Sequence, residues 1–203
     1  TQTAAKAVQT EKYETADFSM TIPKGWTVTT GGTNIYHSIR VYDPAEPLNQ
    51  MFVLLKADVL LHSQAGKEAW QQNYSMGNTQ AALFTKAAVL DNPSTEGFFK
   101  IFSQYTAFAS EVEPAYSGYA FPRFDNFTVS DRYPSASPLK SSALGDEQLR
   151  ATFTDNGKEG EGLFAASVVD FGSFAISNGN VVGYQLQAVD GGYYMAYNIV
   201  AVT

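Results

Sequence analysis

The chain has 203 residues, of which 44% are hydrophobic, 14% aromatic and only 16% charged; 13 basic against 20 acidic residues give a net charge of −7. That balance, without any basic cluster, excludes the electrostatic footprint that nucleic acid or anionic lipid demands, and no apolar run approaches the roughly 20 residues of a membrane-spanning helix. The lack of cysteine excludes a disulfide framework, a thiolate metal site and a cysteine nucleophile.

Residues 1–11 show no apolar periodicity and read as a flexible tether, with residues 12–203 forming one α+β domain. The opening Thr-Gln-Thr-Ala-Ala-Lys resembles the small polar spacer that follows a removed signal or lipoprotein segment. Together with the low charge it predicts an exported protein, extracellular or on the cell surface, with room for a lipid anchor upstream. In Phe18-Ser19-Met20-Thr21-Ile22 the apolar residues alternate as in a half-buried strand; Pro23 stops it, and Lys24-Gly25 turns the chain toward Trp26-Thr27-Val28. A strand follows over residues 35–42, ended by Pro44 and Pro47, and then a central strand, apolar on both faces, over Met51 to Leu61.

The period then changes. Ala65, Ala69, Trp70 and Tyr74 fall at helical spacing between Ser63 and Gly77, and Thr79 to Leu90 is alanine-rich and compatible with helix. The clearest helical face runs from Ser94 to Ser110, through Phe98, Ile101, Phe102, Tyr105, Phe108 and Ala109. Residues 111–126 hold Tyr116, Tyr119, Phe121 and Phe124 between Pro114 and Pro122 without either period, and read as an ordered aromatic loop. Phe127 to Tyr133 alternates as a strand. From Gln148 onward the turns Asn156-Gly157, Asn178-Gly179 and Asp190-Gly191 predict an antiparallel meander of Leu149–Phe153, Gly162–Val169, Val181–Val189 and Tyr193–Val202. The last strand, apolar on both faces, is expected inside the sheet, paired with Val181–Val189, and covered in part by a segment after Thr203 or by another subunit. The fold class predicted is an antiparallel sheet with a C-terminal β-meander, covered by helices from the middle of the chain.

The order of elements, together with Phe18-Ser19-Met20-Thr21-Ile22-Pro23-Lys24-Gly25-Trp26, resembles the Mog1/PsbP-like family, whose members often open with a strand, a Pro-x-Gly-Trp turn and a second strand. The resemblance implies a helix-covered antiparallel sheet and a role in binding or assembly rather than catalysis. It carries over no functional residue, because the matched motif is a structural turn.

Candidate chemistry is sparse. The two histidines, His37 in a strand and His62 before a helix, read as a sheet-face and a helix-flanking residue, and no metal ligand set or cofactor motif is present. Asp155, Glu159 and Glu161 lack the spacing of a calcium loop and fit an acidic hairpin tip; Gly157, Gly160 and Gly162 precede no helix that could cradle a phosphate. Asn73-Tyr74-Ser75 and Asn126-Phe127-Thr128 match the glycosylation triplet. The aromatic loop is the candidate binding feature: Tyr116, Tyr119, Phe121 and Arg123 form either an exposed recognition surface or a flap over an open edge of the core. Three functions follow: a non-enzymatic domain binding a protein or cell-envelope partner, a hydrolase using carboxylates such as Asp43, Asp58 or Asp125, and a carbohydrate-binding module using Trp26, Trp70 and tyrosines as stacking platforms.

Overall fold

A computed structural model describes residues 7–33, 36–61, 63–65, 67–68, 71, 85–91, 94–135, 147–170, 173–177, 180–185 and 192–203. The alternation around Phe18 forms β2 (Ser19–Pro23), paired antiparallel with β1 (Thr10–Glu14) in a hairpin of its own. Thr10 and Glu11, assigned to the tether on sequence, are thus in a strand, and the Glu11 carboxylate accepts the Gly25 N–H at 3.0 Å to hold the following turn. Trp26 is half-buried and lies outside the main core.

Seven strands form the main sheet: β3 (Thr27–Thr33), β4 (Tyr36–Tyr42), β5 (Gln50–Leu61), β6 (Asp125–Pro134), β7 (Glu147–Asp155), β8 (Lys158–Asp170) and β11 (Gly192–Val202). Their spatial order is β3-β4-β5-β11-β8-β7-β6, antiparallel throughout. Two meanders therefore lie side by side, with β11 between them. The Asn156-Gly157 turn joins β7 to β8 with positive φ at both residues, 49° and 81°, the twist that a two-residue hairpin needs.

The last strand lies inside the sheet as its sequence predicts, but its partners differ from the expected ones. It pairs along its whole length with β5 and on its other edge with β8, while β9 (Ser173–Ser177) and β10 (Asn180–Gln185) form a separate short hairpin. The reason is length. Strands of 12 and 13 residues give the eleven-residue strand eleven paired positions on one edge and eight on the other.

Helix α1 (Thr95–Val112) covers one face of the sheet over β6, β7 and β8. Ser94 caps it, its hydroxyl accepting the Gly97 N–H at 3.0 Å. The face that meets the sheet carries Thr95, Phe98, Phe99, Phe102, Tyr105, Thr106 and Ala109. These rings close on Phe52 and Leu54 of β5, Phe127 of β6, Leu149 and Phe153 of β7, Phe164 of β8 and Ala201 of β11. Across the opposite face the cross-strand pair Leu163 and Val202 is 50% and 47% exposed, and Leu55 is 44% exposed.

Of the helix expected from Ser63 to Met76, residues 64–65, 67–68 and 71 are described and helical; the rest, with Trp70, lies outside the described residues. In the stretch expected to be helix-compatible, residues 85–91 are a single 3-10 turn followed by extended chain, and residues 79–84 lie outside the described residues. Side chains take the carbonyls that a helix would use: Lys67 Nζ donates to Ala87 O at 2.7 Å and Gln104 to Lys86 O at 3.2 Å, while Ala87, Ala88 and Leu90 are buried.

Candidate functional site

The inner face of the β3–β4 end is not roofed by α1. Register puts Thr29 opposite Arg40 and Arg40 opposite Phe52, with Gly31, Ser38 and Leu54 in the next row and Thr27, Tyr42 and Gln50 in the one before. This corner of the sheet is polar, whereas the buried cluster beneath α1 is apolar. The chain leaving α1 folds over it, through a single 3-10 turn at Pro114–Tyr116 that packs on β3.

Ring packing fixes that loop. Tyr116 is buried, with Phe121 at 5.1 Å and Tyr119 at 6.5 Å between centroids; Tyr119 meets Phe121 edge-on at 4.8 Å, and Phe121 meets Phe52 of the core at 6.4 Å. Gly31 is what admits the Tyr119 ring, because a Cβ there would stand 2.7 Å from its Cγ. Gly118, at φ +76°, turns the chain at the lip.

Of the four residues singled out in sequence, Tyr116, Tyr119 and Phe121 thus form one packed group lying over the sheet, with Tyr119 and Phe121 half-buried. Arg123 is exposed and apart from them, bound through Nε to Asp125 at 2.8 Å. That bond holds the Asp125 carboxyl below its ordinary range. A group of rings offered outward together is therefore not what the loop presents; its exposed rim is Ser117, Gly118 and Ala120.

Between that rim and the strands lies an open cleft of about 420 Å³, lined by Thr29, Thr30, Arg40, Tyr42, Ser117 and Tyr119 among others. Arg40 is its cation. The guanidinium stands 4.7 Å above the Tyr42 ring, with Nε donating to Gln50 Oε1 at 2.7 Å and Nη2 to Pro47 O at 3.3 Å. Gln50 is itself 1% exposed, so the bracket that aims Arg40 is built into the core. Ser38 Oγ and the Tyr119 hydroxyl are buried beside it; they lie near one another, and Tyr119 near Thr29, without reaching hydrogen-bonding geometry. Burial pushes the Tyr119 hydroxyl above the ordinary tyrosine range.

The sequence reading missed Arg40, Ser38 and Gln50. Strand β4 alternates Ile39 and Val41 against Ser38, Arg40 and Tyr42, which reads as a core face and a solvent face; here the polar side lies under a loop. A second groove, between α1 and β6, is lined by Glu96, Lys100 and Arg132, whose charges satisfy one another: Lys100 meets Glu96 at 2.6 Å and Arg132 meets Glu147 at 2.8 Å and also Glu96.

Of the carboxylates named for a hydrolase, Asp43 and Asp125 do not converge. Asp43 caps the turn after β4 by accepting the Ala45 N–H at 2.9 Å, and Asp125 opens the far edge strand β6; the Asp58 side chain lies outside the described residues. His37 is half-buried in β4 and His62 lies outside the described residues. Among the described residues no three His, Cys, Asp or Glu side chains gather as a metal site, and no helix is long and apolar enough to cross a membrane.

Fold and cleft define an antiparallel α+β domain with a polar recess beneath an aromatic loop. No protein-family model matches this chain, and no curated protein is similar to it in sequence.

Proposed function

We propose that this protein is a non-enzymatic binding or assembly domain of the cell envelope, exported or lipid-tethered, as the Mog1/PsbP-like resemblance implies. The observation that carries the reading is the pre-formed cleft: the ring packing of Tyr116, Tyr119 and Phe121 fixes one wall and the sheet the other, so a partner group enters without ordering either. Its polar lining and its bracketed arginine suit recognition of a polar group on that partner. The low proportion of charged residues, 16%, supports the envelope assignment.

Photo-crosslinking tests this. A photoreactive residue at Ser117 or Ala120 on the rim should give a discrete adduct in native envelope preparations, and one at Glu159 on the distant β7–β8 hairpin should not. Equal labelling from the rim and the hairpin, or none from the rim, would overturn the reading.

A further inference from the structure

The chain has four arginines, and three of them are neutralised: Arg123 by Asp125, Arg132 by Glu96 and Glu147, and Arg150 by Glu161 at 2.7 Å. Of the four arginines Arg40 alone has no carboxylate among the described residues, in a chain with 20 acidic side chains against 13 basic ones. It is held in place nonetheless, with a buried glutamine and a backbone carbonyl on one edge of the guanidinium and an aromatic ring beneath its plane. A guanidinium held so, with Nη1 uncommitted, is prepared for a partner that is absent from the fold itself.

Resting on the binding reading above, we propose that this cleft is a carboxylate-binding site anchored by Arg40, and that its ligand is a carboxylic acid, either a free small acid or the C-terminal carboxylate of a partner chain. The guanidinium fork matches a carboxylate in plane and spacing, which a lysine ammonium does not. Tyr119 lines the recess, and its buried hydroxyl, which has no hydrogen-bond partner within the fold, supplies one O–H to an acceptor entering there; a polar group left dry and unpaired is costly, and a ligand oxygen would recover that cost. A single cation in a chain of net charge −7 favours a monoanion over a phosphate dianion, whose second charge would go uncompensated.

The test uses the whole chain labelled with 15N, whose four arginines give at most four side-chain Nε–Hε signals. It is titrated with N-acetylglycinate, with the peptide acetyl-Ala-Ala-Tyr-Ala bearing a free C-terminus, and with the same peptide amidated. Arg40→Lys identifies the Arg40 signal. A saturable shift of that signal with either carboxylate below ~10 mM, and none with the amide, is the expected result. Whichever carboxylate binds tighter names the source. Arg40→Lys, titrated by the backbone amide signals of Ser117 and Gly118 on the rim, should retain the parent melting midpoint and bind about tenfold more weakly or worse, by loss of the bidentate fork; should it fail to fold, Tyr119→Phe, which loses only the hydroxyl, should still weaken binding several-fold. No saturable shift with either carboxylate, an equal shift with the amide, or unchanged affinity in the variants would overturn the proposal. A rim adduct in the crosslinking experiment without any carboxylate-dependent shift would leave partner binding standing and remove only this ligand.

Discussion

Phe99 is the side chain through which α1 is fastened to the far half of the sheet, so Phe99→Ala measures that attachment directly. The ring is fully buried; it stacks on Phe127 of β6 at 5.3 Å and 19°, meets Phe164 of β8 edge-on at 4.9 Å, and lies 5.7 Å from Phe124. Removing it forfeits the transfer of roughly 100 Å² of apolar surface, about 2.5 kcal/mol at 25 cal/mol per Å². A cavity of roughly 80 Å³ adds about 2 kcal/mol at 24 cal/mol per Å³, for a total near the upper part of the 3–5 kcal/mol usual for a buried phenylalanine. In a chain of this size each kcal/mol moves the thermal midpoint by about 2–4 °C, so a fall of about 10 °C or more is expected in a far-UV circular dichroism melt. Glu111→Ala on the exposed side of the same helix is the reference. It loses only the surface pair with Lys86 and should cost under about 1 kcal/mol. A Phe99→Ala midpoint within error of Glu111→Ala would mean that the ring does not join helix to sheet, and the core described above would be wrong.

Gly162→Ala should cost about 2–3 kcal/mol, because its Cβ would stand 2.5 Å from the Val202 carbonyl oxygen, a backbone atom committed to the ladder; Gly160→Ala, which meets only the Phe153 ring at 2.6 Å, should cost less, and urea denaturation of the pair decides it. The Glu96 carboxyl is held below the ordinary glutamate range, first by its hydrogen bond with Lys100 and then by that with Arg132. The stability this lends is therefore fully present above the unfolded-state value and is lost as pH falls through the lower folded-state one, so melts of Glu96→Gln and the parent should converge as pH drops through that window; a gap that widens on acidification would show the sign to be wrong. Deleting residues 197–203 should abolish cooperative unfolding, since it strips the shared ladder from β5 and β8 together; a truncated chain that stays monomeric with a sharp melt would make β11 peripheral.

What the sequence made legible was whatever rests on local chemistry. Ser94 followed by phenylalanines at helical spacing announces α1, and Asn156-Gly157 announces the β7–β8 hairpin, because cap, periodicity and turn are each written within a few residues. Phe99 was left off the helical face because its neighbour Phe98 satisfies the same spacing; both rings are fully buried on the side of α1 that meets the sheet. The partners of β11 were not legible. Both Val181–Val189 and Met51–Leu61 are apolar candidates, and a near neighbour in sequence is the default until strand lengths are compared in space. The cleft was half legible: the aromatic loop stands out by composition, whereas Arg40 reads as a solvent-facing residue of an alternating strand. Only the fold brings Gln50, Pro47 and Tyr42 around it.

The central place of β11 also governs the order in which the molecule can assemble. Met51 pairs with Val202, and the Gln50 and Thr203 backbones bond each other at 3.0 and 3.3 Å, so the two halves of the sheet are joined through a strand made after both of them. Until that strand emerges from the ribosome, β5 and β8 each present a long open edge able to pair with a neighbouring chain. Contacts spanning so much of the sequence close slowly, which prolongs the interval in which a nascent or unfolded chain is prone to aggregate. The finished sheet is thus locked late and at its middle, and the early chain depends on staying dilute or being held open until the last strand arrives.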